Sequence, residues 1–180
     1  MRRIVSISGG LPHEGVDHAG GFYVTALVRE LSRSASVRVL CPDTPSNLGA
    51  AAGHPPGDWL LVGATAGHAG PPALARWAQR VDELVRRVDP ALPPLPLALA
   101  LALDPDVWSA LRTADVVDLQ WPDYGRLIPL LRALGSRAPI VVTMHDVLSQ
   151  RYSRQSERAT GRLARAKWGL LHWRATRGER

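Results

Sequence analysis

The chain has 180 residues, of which 46% are hydrophobic and 21% charged; these values are typical of one globular domain with a core and exclude a disordered chain. Its single cysteine, Cys41, excludes a disulfide within the chain and predicts a reducing compartment. The formal net charge is +6, which raises the question of an anionic partner.

That charge is concentrated at one end of the sequence. Residues 151–180 contain nine basic and two acidic side chains, a net charge of +7, whereas the first 150 residues have a net charge of −1. The sequence therefore predicts a nearly neutral domain followed by a strongly basic segment.

The N-terminal residues do not resemble an export signal. Arg2 and Arg3 precede an apolar run of only four residues, 4–7, which is too short for a secretory signal peptide. The longest uncharged stretches are interrupted by glycine or proline and fall short of the roughly 20 residues of a spanning helix. We expect a cytoplasmic protein that is at most peripheral to a membrane.

The first quarter of the chain predicts a βαβ unit. Residues 3–8 are a short β-branched run that indicates a buried strand, and a glycine-rich loop, residues 9–21, follows it. Apolar residues at helical spacing predict a helix from Gly21 to about Ser34, and residues 37–41 predict a second strand. Two such strands should be parallel, with a right-handed crossover.

The middle of the chain is less regular. Residues 42–72 are rich in Gly, Ala and Pro, with a possible short strand at 59–62. A helix is expected from Pro71 or Pro72 to about Val88. Residues 95–103 alternate leucine and alanine, a pattern that leaves helix and strand open. The predicted apolar face of the helix ending at Val88 is formed by Leu74, Trp77, Val81, Leu84 and Val88.

In the last third of the chain, predicted helices and strands alternate again. Residues 105–113 predict a helix, 115–121 a strand, 124–134 a helix that ends at Gly135, and 139–144 a strand. This alternation predicts an α/β fold with a doubly wound, mostly parallel, Rossmann-like sheet, which binds ligands beyond the carboxyl ends of its strands. After it, basic residues recur every three or four positions and predict one helix with a basic face: Arg151, Arg154, Arg158, Arg162 and Arg165. Gly161 and Gly169 weaken this predicted helix, and a basic face that is only solvated is an alternative to one that contacts an anionic partner.

Two features could carry chemistry. The glycine-rich loop before the first helix could admit an anion at the helix N-terminus, although it matches neither G-x-G-x-x-G nor a phosphate loop, and glycines that only make turns are an equal alternative. His145 follows a predicted strand at the ligand edge of the sheet, where it either contacts a ligand or simply packs.

Other polar residues at the sheet edge carry weaker signals. Asp123 fits a helix cap better than a ligand contact, and Asp146 is also expected to cap a helix or lie in a turn. His13 and His18 lie in the glycine loop, where they could face a ligand. The sequence contains no H-x-E, H-E-x-x-H or C-x-x-C pattern, so we predict no metal site.

Taken together, these segments resemble a known family. RIVSIS (3–8), Gly20-Gly21, FYVTALVRELSR (22–33) and VRVLCP (37–42) are similar to the N-terminal domain of retaining GT-B glycosyltransferases of family 4, often labelled group 1. DVVDLQWP (115–122) and PIVVTMHD (139–146), followed by an arginine-rich helix, resemble the same domain, whereas residues 42–104 match nothing specific.

The resemblance implies a set of functional residues. Gly21, with Gly20 beside it, would lie near the diphosphate of a nucleotide-sugar donor, and His145 near the donor sugar and the reaction centre, as the catalytic residue. The acceptor would be a sugar, a lipid-linked molecule or another small molecule, and no metal or cofactor would be required. The proposed acceptor contacts are Asp17, His18, Asp123 and Arg151, of which Asp123 is suggested by its place at the end of a strand.

The chain also departs from the family. Members have a second Rossmann-like domain that binds most of the donor, with a Glu-x7-Glu motif and a basic pair for the phosphates, whereas residues 1–180 contain no Glu-x7-Glu spacing and are expected to form the first domain only. We therefore expect residues 1–180 to be an acceptor-side domain with a basic C-terminal helix from about Arg151, inactive by itself.

The alternative is a non-catalytic α/β binding module. In that interpretation the arginine-rich tail contacts nucleic acid or an anionic membrane. In the family interpretation the tail favours a phosphorylated or lipid-linked acceptor, or a membrane surface, over nucleic acid.

Overall fold

The computed structural model describes residues 1–16, 19–53, 58–63, 72–89, 92–144 and 147–178. Its centre is one five-stranded sheet in which all neighbouring strands are parallel, in the order β3-β2-β1-β4-β5. The strands are β1 (Arg2–Ile7), β2 (Ala35–Pro42), β3 (Trp59–Val62), β4 (Val116–Gln120) and β5 (Ile140–Thr143).

Eight α-helices and a 3₁₀ helix lie in the described parts of the chain. The 3₁₀ helix, Pro122–Leu127, connects β4 to the sixth α-helix. The α-helices are α1 (Ala19–Leu31), α2 (Pro45–Ala52), α3 (Pro72–Val88), α4 (Leu95–Leu103), α5 (Pro105–Thr113), α6 (Ile128–Ala133), α7 (Leu148–Arg158) and α8 (Arg162–Gly178).

The sheet is covered on both faces. In β2, Val37, Val39 and Cys41 share a core cluster with residues of α1 and α2, while Leu40 belongs to the cluster on the other face. This period of two is what an extended strand imposes. The cluster that contains Leu40 also includes residues of β1 and β4 and of helices α4, α5 and α6. The chain therefore has the doubly wound, Rossmann-like α/β fold that the alternation predicted.

Strand β1 lies at the middle of this sheet. It pairs with β2 over Arg2–Ile7 and with β4 over Ile4–Ile7. The chain proceeds from β1 outward to β3 and then returns to the other side of β1, so its winding reverses between β1 and β4. In doubly wound sheets a crevice opens at the carboxyl ends of the two strands that flank such a point.

Several boundaries differ from the expectation. Residues 95–103 form helix α4, which resolves the open choice in favour of the alanine-rich helix. The helix expected over 124–134 is instead a 3₁₀ helix followed by the short α6. As predicted, Gly135 ends this segment: its φ is +87°, and Ser136 N–H donates to Leu131 O at 3.1 Å, which closes the turn.

The basic tail is two helices rather than one. The chain breaks at residues 159–161 and α8 begins at Arg162, so Arg162 and Arg165 do not continue the face that begins at Arg151. Gly161 explains the break, because glycine opposes helix continuation. The single basic face expected from Arg151 to Arg165 is therefore wrong.

Helix α3 confirms the predicted bounds but not a buried apolar face. Trp77, Leu84 and Val88 are 56%, 63% and 65% exposed, Leu74 and Val81 are half-buried, and Ala78 is buried. The periodicity correctly predicts a helix, while the described chain covers its apolar face only in part.

Candidate functional site: a cleft at the carboxyl end of the central strands

A cleft of about 300 Å³ opens where the winding of the sheet reverses. It lies between the loop after β1, the first turns of α1 and α2, and the residue that follows β4. The lining residues are Ser8, Gly10, Leu11, His13, Gly15, Val16, Gly21, Val24, Ser46, Asn47, Ala50 and Trp121. This cleft thus lies where the topology predicts a crevice.

Asn47 fixes the wall of the cleft. Its side chain is buried; Oδ1 accepts from Leu11 N at 2.9 Å, and Nδ2 donates to Gly9 O at 3.1 Å and to Pro42 O at 2.7 Å. One amide group therefore joins the loop after β1 to the end of β2. Since three of its hydrogen-bonding positions are filled from inside the protein, Asn47 shapes the cleft rather than offering these positions to a ligand.

Hydrogen bonds within the loop after β1 also stabilise it. Ser8 Oγ donates to Gly10 O at 2.9 Å, and Gly15 N donates to His13 Nδ1 at 3.1 Å. These short-range bonds hold the wall without a ligand. His13, which from its place in this loop could face a ligand, is among the residues that line the cleft.

Trp121 has an unusual backbone. Its φ is +88° and ψ is +140°, and its N–H donates to Thr143 O at 2.9 Å. A positive φ in a bulky residue costs about 1–3 kcal/mol and persists only where the surroundings enforce it. Here it turns the chain sharply from β4 into the 3₁₀ helix and places the indole at the cleft.

The two glycines at the start of α1 have different surroundings. The Trp121 ring lies against Gly20 so closely that a Cβ on Gly20 would overlap it. Gly21 lines the cleft itself. Of the two glycines expected near a donor phosphate, the structure therefore places Gly21 at the cleft and gives Gly20 a packing role against the indole.

Behind the cleft, the side chain of Asp118 accepts hydrogen bonds from residues near the ends of three strands. This buried carboxylate accepts from Ser6 Oγ at 3.0 Å, from Thr143 Oγ1 at 3.2 Å, and from Gln120 Nε2. The donors come from β1, β4 and β5, so one acidic side chain fixes the relative positions of the strands that flank the cleft. Asp118 is a structural residue that the sequence analysis did not single out.

Asp123 and Arg151 lie close to each other. Asp123 Oδ2 is 3.8 Å from Arg151 Nη2, and Asp123 Oδ1 is buried with no hydrogen-bond partner among the residues that the structure describes. Burial raises the pKa of Asp123, while Arg151, Arg126 and Arg86 lower it in part. The expectation that Asp123 caps a helix is wrong, because no side chain caps the 3₁₀ helix. Neither Asp123 nor Arg151 is among the residues that line the cleft.

Three of the predicted site residues lie outside the described parts of the chain. They are Asp17, His18 and His145, and Asp146 lies outside as well. Asp17 and His18 directly precede α1, and His145 comes two residues after β5. Their roles stay predictions.

The basic helices α7 and α8 form a hairpin with its own small core. Tyr152, Leu171 and Ala175 are buried against one another, with Trp168 beside them. Residues 148–178 contain eight basic side chains and one acidic one, a net charge of +7. The hairpin meets the rest of the chain at Lys167 Nζ, which donates to Arg87 O, and at the Arg151–Asp123 pair.

The sequence analysis missed Asn47 and Trp121, two residues that define the cleft. A signal for α2 was present: Thr44 followed by Pro45 is a typical N-cap pair, and Thr44 Oγ1 does accept from Asn47 N at 3.3 Å. No such local signal marks Trp121, because its backbone and its contact with Gly20 depend on tertiary structure.

Among the described residues, no group of three or more His, Cys, Asp or Glu side chains is placed to hold a metal ion. Within the same part of the chain, none of the helices combines the length and the apolar character needed to cross a bilayer. Cys41 is buried, and burial raises the pKa of its thiol well above the usual range.

No protein-family model matches this sequence, and a search of curated proteins gives no significant match. The fold is an α/β domain with a cleft at the switch point of a Rossmann-like sheet. A more specific function must be argued from the chain's own residues.

Proposed function

We propose that this chain is the acceptor-side domain of a GT-B glycosyltransferase and that its cleft receives the diphosphate and sugar of a nucleotide-sugar donor. The observation that carries the proposal is the position of the cleft, beside the N-terminus of α1 and between the carboxyl ends of β1 and β4. It is supported by the resemblance of the same segments to the family.

The surroundings of the cleft suit a phosphate group. The N-terminal end of a helix carries a partial positive charge that favours an anion. Gly21 has no side chain to keep an anion from the backbone there, and the walls are held by Asn47 before any ligand binds. A preformed wall reduces the entropy lost on binding.

The size of the cleft suits part of a donor. Ligand pockets have volumes of about 300–1,000 Å³, so a cleft of about 300 Å³ lies at the small end. The nucleoside then needs a second surface, which the family places in its other domain. Turnover also needs positive charge at the leaving diphosphate. The chain alone should therefore bind a donor weakly and transfer no sugar.

A binding experiment tests the cleft. We expect the 180-residue chain to bind uridine or guanosine diphosphate and their sugar conjugates, measured by calorimetry. Ser46→Trp fills the cleft from the exposed first turn of α2 and should reduce the affinity at least about tenfold. Ser109→Trp, exposed on α5, is the matched control. Equal affinity of the two variants would remove the cleft from the proposal.

Turnover tests the residue that the resemblance makes catalytic. In an assembly that includes a donor-binding domain, on the same polypeptide or on a partner chain, we expect His145→Ala to reduce sugar transfer about a hundredfold or more while the far-UV circular dichroism spectrum is unchanged. His13→Ala is the comparison variant at the cleft. Normal turnover of His145→Ala would remove His145 from the reaction.

A further inference from the structure

Helix α8 has two apolar faces, and only one of them is covered. Leu171 and Ala175, 3% and 7% exposed, pack toward α7 with Tyr152. Leu163, Leu170 and Trp173 are 89%, 49% and 53% exposed. At 100° per residue Trp173 lies about 160° from both Leu171 and Ala175, whereas Leu170 and Leu163 lie about 80–140° from them, on the adjoining flank of the helix.

Basic side chains border the exposed face. Within Arg162–Gly178 the helix contains five basic residues and no acidic one. The guanidinium group of Arg177 lies 4.7 Å from the centre of the Trp173 ring. Arg162, Arg174 and Arg177 are exposed. We name the surface formed by Leu163, Leu170 and Trp173 with these three arginines the α8 outer face.

We propose that the α8 outer face binds the surface of an anionic lipid bilayer, with α8 lying parallel to the membrane plane. Leucine and tryptophan side chains surrounded by arginine are the composition of interfacial helices: the apolar groups enter the boundary of the acyl chains while the cations contact lipid phosphates. This proposal does not depend on what the cleft binds.

The same residues argue against nucleic acid as the partner. Phosphate contacts need cations alone, and a nucleic-acid surface offers no apolar layer for a leucine that is 89% exposed. A bilayer satisfies the charge and the apolar side chains together. The hairpin's net charge of +7 adds attraction to acidic headgroups at about 1 kcal/mol per cation near the surface.

The test is co-sedimentation of the 180-residue chain with vesicles of phosphatidylcholine alone and of phosphatidylcholine mixed with phosphatidylglycerol. We expect binding to the mixed vesicles only, weakened by salt. Leu163→Ser combined with Trp173→Ser should lower the partition coefficient at least about tenfold. Arg162→Gln combined with Arg174→Gln should lower it by about fivefold per charge. Phe22→Ser, an exposed apolar residue on α1, is the matched control.

A spectroscopic readout separates binding by this face from binding by charge alone. Mixed vesicles should shift the tryptophan emission to shorter wavelength, and Trp173→Phe should remove most of that shift while the variant still sediments. Three results would each overturn the proposal: equal loss in Phe22→Ser, unchanged binding after Leu163→Ser with Trp173→Ser, or a dimer in solution that the same double variant dissociates. Displacement of the vesicles by DNA at the same ionic strength would assign the face to nucleic acid instead.

Discussion

Trp121 and Gly20 form a contact on which the shape of the cleft depends. The indole occupies the space that a Cβ on Gly20 would need, and Trp121 holds a positive φ at that position. The Trp121 indole leaves no room for a side chain at position 20, and the missing side chain of Gly20 leaves room for the indole.

We expect Gly20→Ala to lower the free energy of unfolding by about 1–3 kcal/mol, because the methyl group overlaps the Trp121 ring. Urea denaturation measures the change. Gly10→Ala is the control, since a Cβ on Gly10 meets no atom within 4 Å. In a background with Trp121→Ala the cost of Gly20→Ala should fall close to that of the control. An unchanged cost in that background would contradict the contact.

Asp123 predicts a dependence of stability on pH. Burial raises the pKa of its carboxyl group in the folded chain above the unfolded value of about 3.9. The folded state therefore favours the protonated form, so the contribution of Asp123 to stability is largest below about pH 3.9 and is lost as pH rises through the folded pKa.

Asp123→Asn removes this titration. Relative to the wild type, the variant should gain stability as pH rises from below about 4 to neutrality, measured by urea denaturation at a series of pH values. Arg151→Gln tests the cause, since Arg151 lowers the pKa of Asp123 and its loss should steepen the fall in stability. The opposite slope for Asp123→Asn would show that Asp123 is stabilised as a carboxylate.

At the scale of elements, the loop after β1 and helix α2 form one structure through Asn47. Asn47→Ala removes three hydrogen bonds and leaves the buried Leu11 N–H without its acceptor, so we expect a loss of about 2–4 kcal/mol in the free energy of unfolding. Ser46→Ala, its neighbour on an exposed position, is the control and should change stability by less than about 0.5 kcal/mol. Similar losses in the two variants would deny Asn47 its role in joining the loop to α2.

The elements that the sequence predicted well are those with strong local patterns. Strands β1, β2, β4 and β5 combine β-branched residues with glycine or proline boundaries, and α5 begins at a proline preceded by Asp104, which caps it by accepting from Asp106 N at 2.8 Å and Val107 N at 3.0 Å. Local chemistry was sufficient there.

What could not be predicted depends on contacts between distant residues. The break between α7 and α8 could be read only as a weakness at Gly161, because the hairpin is stabilised by Tyr152 against Leu171. The exposure of Trp77 and Leu84 on α3 contradicts the rule that an apolar helix face is covered. In the cleft, Gly21 and His13 were found from the glycine-rich loop, whereas Trp121 depends on tertiary packing.

At the scale of the molecule, the rate at which the Cys41 thiol reacts indicates whether the sheet is folded. Its side chain is buried in β2, and burial raises the pKa of the thiol, so both access and reactivity are low in the folded state. We expect a disulfide reagent to label Cys41 at least about a thousandfold more slowly than in the unfolded chain. The labelling rate should rise with urea in parallel with global unfolding.

A control for that experiment carries Cys41→Ala with Ser109→Cys, which places a thiol on an exposed position of α5 and should react at once. Rapid labelling of Cys41 in the absence of urea would mean that β2 and β3 separate locally, without unfolding of the rest of the sheet.

The central position of β1 has a consequence for synthesis of the protein. Strand β1 is synthesised before both of its neighbours in the sheet, and the second of them, β4, begins only at Val116. Any nascent chain that ends before Val116 must leave one backbone edge of β1 without its partner, with Val5 and Ile7 lacking much of their final cover. The central strand of the sheet is thus synthesised well before its second neighbour. During this interval its unpaired edge and its apolar side chains are exposed, so we expect a chaperone to bind the nascent chain then.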